Sequence, residues 1–285
     1  MSETLRPGQH YDSENDAQDR PSGMKRPVLS KRLERILSMI RPGALLADIG
    51  TDHAYVPIAA VDRGLCDMAL ACDIIPGPLE RARANIEAAG LADRIEIRQG
   101  DGLEALGEDC PDCIVIAGMG GSLMGRILWE GWEKLENSPQ LVLSPQSEWM
   151  EFRRFLIEHD WMICREAMVE EDGKYYLILD CENGPVAGTE VKYAELRYGA
   201  HAVYDPGDLP VRREYIQKDL QTARSILSRL KRNYSPAAAA RREALEELIG
   251  DALWELGEGD IYEGRTINER SYSRFRGRLT LKEES

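Results

Sequence analysis

No apolar run in this 285-residue chain reaches the length of a bilayer span, so no transmembrane helix is expected. The first 25 residues lack the apolar stretch of a secretory leader and are not expected to act as one. Cysteine is sparse, with six residues at 66, 72, 110, 113, 164 and 181. Only Cys110-Pro-Asp-Cys113 is close-set, a spacing used by redox pairs and by half of a zinc site. No second C-x-x-C or paired histidine accompanies it, so these read as reduced thiols beside a strand, with no metal. The expected setting is cytoplasmic. Basic charge is short as well: 36 Lys and Arg stand against 50 Asp and Glu, a net charge of −14. Phosphate repels a net anion, which excludes a non-specific coat on nucleic acid but not a local basic patch.

What is present is an alternating pattern. Leu33, Ile36, Leu37 and Ile40 recur at helical spacing, and Arg41-Pro-Gly43 ends that helix. Short apolar strands follow at 44–50, 68–73, 95–99, 113–117 and 140–144, with helices expected at 55–62, 78–89, about 121–134 and 152–159. Runs at 161–169 and 175–181 read as strands joined by the turn Glu170-Glu-Asp-Gly173. Such alternation means an α/β fold, a mostly parallel sheet covered on both faces, here with an antiparallel strand added at the edge. After about 186 the pattern becomes helical. Ile216, Leu220, Ala223, Leu227 and Leu230 form one seam, and Leu245, Leu248, Ile249, Ala252, Leu253 and Leu256 a second. Ser235-Pro236 is a helix start, so the two are expected to form an antiparallel hairpin. The expected organisation is a disordered tail at 1–25, a Rossmann-like domain at 26–184, a hairpin domain at 185–262 and a basic, flexible tail at 263–285.

Ligands in such sheets sit beyond the carboxyl ends of the strands. Asp48-Ile-Gly50-Thr-Asp-His53 follows the first strand, where a glycine lets a ligand approach the backbone. Asp73 ends the second strand, 23 residues after Gly50, and suits the two hydroxyls of a ribose. A dinucleotide site would show G-x-G-x-x-G here, which is missing, and Asp48 and Asp52 would repel a pyrophosphate. The expected cofactor is therefore a nucleoside without phosphate, and S-adenosylmethionine, with its cationic amine and sulfonium, fits. Asp101, between Gly100 and Gly102, is placed to accept from the adenine amino group. Gly118-Met-Gly-Gly121 resembles a dinucleotide loop in isolation, but no acid ends the next strand, which closes on Ser144.

Ala47-Asp-Ile-Gly-Thr-Asp-His-Ala-Tyr-Val-Pro57, Gln99-Gly-Asp-Gly-Leu103, Ile116-Ala-Gly-Met-Gly-Gly121 and Glu171-Asp-Gly-Lys-Tyr175 together resemble the bacterial tRNA (adenine(22)-N1)-methyltransferase family. Ser30-Lys-Arg-Leu33 matches too, and the resemblance covers roughly 29–182. It implies a Rossmann-like class I methyltransferase sheet with a C-terminal coiled-coil-like hairpin. It also implies S-adenosylmethionine as cofactor and tRNA as partner, methylated at N1 of adenine 22 in the D-arm, with no obligate protein partner. Cofactor contacts fall on Asp48, Gly50, Asp73, Asp101, Gly102 and Gly118, and the catalytic role on Asp52. His53 either pairs with Asp52, contacts RNA or is structural. Tyr55 either stacks on the target base or packs within the protein. The family's Q-P-N after the fifth strand is here Ser144-Pro145-Gln146, which leaves the base contacts of Pro145 and Gln146 open. Two other readings also stay open: another S-adenosylmethionine-dependent methyltransferase, and a non-catalytic RNA-binding protein with this fold.

The charge is unevenly placed. Residues 25–35 hold five basic and one acidic side chain, 209–242 nine and two, and 243–263 none and eight. Lys31, Arg32, Arg35 and, on the first hairpin arm, Arg212, Arg213 and Lys218 are the expected phosphate contacts. The competing expectation is that the basic and acidic arms of the hairpin pair with each other.

Overall fold

The computed structural model describes residues 26–184, 191–230, 235–258 and 266–267. The tails expected at 1–25 and 263–285 lie outside the described residues apart from 266–267, and the expected domain boundary near 184 falls beside 185–190, also outside them.

Helix α1 (Lys31–Met39) starts at Ser30, whose hydroxyl accepts from the Leu33 amide at 3.3 Å. Its buried face is Ile36, Leu37 and Met39. There follow β1 (Gly43–Ile49), α2 (Tyr55–Asp62), β2 (Cys66–Asp73), α3 (Pro76–Ala89), β3 (Ile95–Gln99), β4 (Cys113–Ala117), α4 (Gly121–Glu130), β5 (Gln140–Ser144) and α5 (Trp149–Glu158). The fourth helix ends at Glu130, short of the expected 134, because Gly131 interrupts it and a 3-10 turn takes Trp132–Leu135. The sheet order is β3-β2-β1-β4-β5-β7-β6, with β6 (Trp161–Glu171) and β7 (Lys174–Asn183) closing it. Strands β1 to β5 are parallel, and the chain reverses direction across the sheet between β1 and β4.

The antiparallel strand is not at the edge. β7 lies inside, between β5 and β6. Burial explains this: Leu177, Ile178, Leu179, Asp180 and Cys181 are all buried, whereas β6 is only partly covered over most of its length. The turn between them is tight, with both Asp172 (φ 51°) and Gly173 (φ 76°) left-handed.

Two cores flank the sheet. Ile36, Leu37, Ile58 and Ile86 pack on one face against Val115, Val142 and Ile178. Met124, Leu128, Phe152 and Leu156 pack on the other against Ile114, Ile116, Leu141 and Leu143. Alternation along β4 and β5 sends neighbouring residues to opposite cores. At the amino end of β5, buried Gln140 donates to the Met39 carbonyl and to Asp180, each at 2.7 Å, and ties α1 to β5 and β7.

The helical part begins with β8 (Val191–Lys192), α6 (Tyr193–Tyr198) and two 3-10 turns. Then α7 (Leu209–Leu230) and α8 (Pro236–Leu256) pack on each other through Ile216, Leu220, Ala252 and Leu256. Ser235 caps α8 by accepting from the Ala238 amide at 3.2 Å, and Gly257 closes it in a left-handed conformation. A two-residue strand, β9 (Thr266–Ile267), pairs with β8.

A buried ion pair fastens this part to the sheet. Arg153 of α5 meets Glu166 of β6 with both ends of its guanidinium, at 2.9 and 2.7 Å, and each side chain is 2% exposed. Its remaining nitrogen donates to the Leu196 and Arg197 carbonyls at the end of α6. Burial opposes the Arg153 charge, and Glu166 more than offsets it, so its pKa is raised. Glu166→Gln therefore loses about 3–5 kcal/mol in urea denaturation, because it leaves a buried cation half-paired, while Arg153→Met/Glu166→Gln regains most of that loss.

Candidate functional site

The loop after β1 is shaped by glycine and by hydrogen bonds to β2. Gly50 is left-handed (φ 81°), and its amide and that of Thr51 both donate to the Cys72 carbonyl at 2.8 and 2.9 Å. A Cβ at Gly50 would collide with the Met119 side chain, which lies over it from the loop after β4. Gly118 is also left-handed (φ 87°), and its amide donates to the Ser144 carbonyl. The loops after β1, β4 and β5 thus form one continuous floor at the carboxyl ends of the strands.

Acids surround that floor. Asp48 is 7% exposed, and burial pushes its carboxyl up to about 6. The neighbouring Thr51 offsets part of this, and the Asp73 carboxylate adds to it. At the end of β2 the Asp73 Oδ1 atom accepts from the Ile75 amide at 2.7 Å. Ile74 and Ile75 stand exposed beside it. Asp101 is exposed after β3, and Gly102 behind it packs close to Ile127.

Beyond the floor stands Asp52. It is exposed, and its Oδ1 accepts from Arg81 Nε at 3.0 Å and from Arg81 Nη2. Its Oδ2 lies 3.3 Å from His53 Nε2. The His53 ring stacks on Tyr55 at 5.1 Å between centroids, so one face of Tyr55 is already covered by protein. Of the two residues after β5, Pro145 is buried and its carbonyl accepts from Trp149 Nε1, while Gln146 is exposed. Gln146 Nε2 and Arg32 Nη1 come within 3.8 and 3.9 Å of where a Cβ on Gly118 would be.

The expected phosphate contacts separate into two groups. Lys31, Arg213 and Lys218 are exposed. Arg32 instead turns inward, its guanidinium 5.0 Å over the Tyr176 ring, with Nη1 buried and lacking a hydrogen-bond partner. Arg35 and Arg212 correct the expectation. Arg35 is held by Asp205 and Asp208. Arg212 is 3% exposed and donates to the Tyr198 and Gly199 carbonyls and to Glu255, so neither has a free donor fork for phosphate. The expected pairing between hairpin arms is present here, and also weakly at Arg213 and Glu258, 3.4 Å apart.

The residues present fit a cationic nucleoside. Left-handed Gly50 and Gly118 leave the backbone open, Asp73 keeps one oxygen free of the Ile75 bond, and buried Asp48 favours a positive charge nearby. Arg32 Nη1 is a buried donor still lacking an acceptor. The same acids disfavour a pyrophosphate. Arg81, Met119, Ile74 and Ile75 escaped the sequence reading; the apolar pair directly after an acidic strand end was the one available signal. The six cysteines are free, and Cys113 is buried in β4 with its thiol pushed well up by burial. No cluster of metal-ligating side chains occurs among the described residues, and none of their helices is long and apolar enough to cross a membrane.

Residues 29–179 match the methyltransferase domain family. Over 156 residues, 55% of this chain, the sequence is 42% identical to the tRNA (adenine(22)-N(1))-methyltransferase of Bacillus subtilis (strain 168). That match spans 66% of the B. subtilis protein, just under two thirds of its length. The crystal structure of a B. subtilis m1A22 tRNA methyltransferase superposes with a TM-score of 0.69 at 31% identity, covering 79% of this chain and 97% of that one. A Streptococcus pneumoniae chain solved in complex with S-adenosyl-L-methionine gives a TM-score of 0.67 at 35% identity, covering 78% of this chain and all of that one. Fold, strand-end acids and these likenesses agree, and the chain belongs to the tRNA (adenine(22)-N1)-methyltransferase family.

Proposed function

We propose that this chain is an S-adenosylmethionine-dependent tRNA methyltransferase that methylates N1 of adenine 22 in the D-arm. The observation that carries the reading is the set of acids at successive strand ends around a glycine floor, with exposed Asp52 beyond it, paired with Arg81. When bound, S-adenosylmethionine supplies a methyl group on a cationic sulfur. In this reading Asp73 takes the ribose hydroxyls, Asp101 the adenine amino group, and Ile74 and Ile75 an apolar face of the nucleoside. Gly50 and Gly118 let the cofactor lie against the backbone, with Gly102 below. Asp48 balances its positive charge.

Asp52 acts on the substrate base. It accepts from the 6-amino group and so turns N1 toward the methyl donor. It opposes the positive charge that forms on the ring, and takes the amino proton as the cationic product neutralises. A base stacked in tRNA must first be turned out to reach it. His53 and Tyr55 flank Asp52 as a stacked pair and form the wall of that pocket. Gln146 Nε2 and Arg32 Nη1 offer two donors near Gly118 to a ligand bearing acceptors. Lys31, Arg213 and Lys218 supply exposed positive charge for the RNA backbone.

The test is m1A mapping on tRNA with purified protein. Asp52→Ala lowers kcat by about 100-fold or more, with S-adenosylmethionine binding unchanged by calorimetry; full activity would remove Asp52 from the mechanism.

The raised Asp48 carboxyl gives a second expectation. A group lifted from 3.8 to about 6 contributes stability that is present below about pH 4 and lost as pH rises through 6. A bound cation favours the charged form. Cofactor affinity therefore rises about tenfold between pH 5 and pH 7. Asp48→Asn flattens that rise and weakens binding, yet stabilises the free protein at pH 7.5 by up to about 3 kcal/mol. Calorimetric titrations and thermal melts across this range check both signs.

For the RNA, Arg213→Glu/Lys218→Glu weakens tRNA binding and lowers its salt slope by about two. Unchanged binding in that variant would take this arm out of the footprint.

A further inference from the structure

The loop that presents Asp52 is under tension and is held from outside. Ala54, buried and not a glycine, is left-handed (φ 55°) where the chain enters α2. Such a conformation persists only where the surroundings enforce it. Two side chains from α3, one helical turn apart on the same face, supply that enforcement. Asn85 Nδ2 donates to the His53 carbonyl at 3.0 Å. Arg81 donates through Nε, at 3.0 Å, and Nη2 to the same oxygen of Asp52, Oδ1.

The Arg81–Asp52 pair is poorly placed to stabilise the fold. Its side chains are 50% and 58% exposed, and pairs so wet contribute little. Its geometry does something else. A lone exposed aspartate samples several rotamers. Here two N–H groups converge on one oxygen, Oδ1, and restrain the carboxylate, while Oδ2 takes no bond from Arg81 and has His53 Nε2 at 3.3 Å among the described residues. An acid that must meet one amino group of one base gains from being fixed in advance.

We propose that Arg81 is a positioning residue: it clamps Oδ1 of Asp52 so that Oδ2 is presented to the base. This rests on the assignment of Asp52 above. A clamp and a charge act in opposite senses. The Arg81 cation beside Asp52 weakens its pull on a positive base, so if charge dominated, removing Arg81 would speed the reaction. If orientation dominates, removal slows it.

The experiment is a kinetic double-mutant cycle on the full chain, with tRNA and S-adenosylmethionine as substrates and m1A as product. Arg81→Ala lowers kcat by about 10- to 100-fold. The KM for tRNA and the cofactor Kd stay within about twofold. Arg81→Lys, which keeps the charge but not the fork, restores part of kcat. In an Asp52→Asn background, where residual turnover is followed at high enzyme concentration, Arg81→Ala costs nothing further. Three results overturn the proposal: an unchanged or higher kcat in Arg81→Ala, a raised tRNA KM that persists in the Asp52→Asn background, or no recovery with lysine. An inactive Asp52→Asn beside a fully active Arg81→Ala sinks the clamp alone. A fully active Asp52→Asn sinks the role of Asp52 first, and the clamp with it.

Discussion

The helical half of the molecule is placed by one buried ion pair. Arg153 and Glu166 meet where α5, β6 and α6 converge, and the guanidinium also holds two carbonyls of α6. Around that point everything is close. Gly199 has no room for a Cβ, because the Glu166 carboxylate and the Tyr204 ring fill the space. Tyr204 in turn lies under Arg212, which reaches the Tyr198 and Gly199 carbonyls and Glu255 of α8. The sheet, α6 and both long helices are thus joined through a run of buried polar contacts, beside which Tyr215 of α7 packs on Trp149 and Tyr175. Such a joint fixes direction, because a hydrogen bond tolerates misplacement less than an apolar contact does.

The sheet and the strand ends were legible because they depend on local pattern. Period-two burial, Gly43 and Gly90 at element ends, and the capping hydroxyls of Ser30 and Ser235 all act within a few residues of themselves. The acids at 48, 52, 73 and 101 were legible too, since parallel strands bring their carboxyl ends to one side whatever the sequence between them. Depth was not legible. Arg212 and Arg213 are adjacent in a basic block, yet one is buried against carbonyls and an acid 43 residues away while the other is exposed. Arg32 and Arg35 lie one turn apart on α1, and their ends go to an aromatic ring and to two aspartates of a distant turn. The place of β7 inside the sheet was equally hidden, because pairing order depends on which strand buries both faces.

Acidity in this protein is concentrated, and the concentration has a use. Residues 26–184 carry 28 acidic and 16 basic side chains, the larger share of the net charge of −14. Part of that excess gathers round the glycine floor, where burial raises the Asp48 carboxyl, the Asp73 charge adds to the shift, and a cation is favoured. Arg81 and Arg32 interrupt the acidity, one against Asp52, the other over Tyr176 beside Gly118. Exposed Lys31 on α1 and exposed Arg213 and Lys218 on α7 belong to elements other than those that carry the strand-end acids, so a surface for a polyanion and a site for a cationic cofactor draw on different parts of the chain.

The position of β7 also constrains the order of assembly. β5 has β4 on one side, and its other edge stays open until β7 arrives from residues 174–183. β6 is made first but has no place beside β5; it can join only through β7. The tight Asp172-Gly173 turn lets β6 and β7 pair locally as a ribbon, and the ribbon then docks by its β7 side. A nascent chain that stops short of Asn183 exposes an apolar edge, Leu141-Val-Leu143, that invites pairing with another molecule. The native sheet is therefore completed by its second-to-last strand in space and its last in sequence.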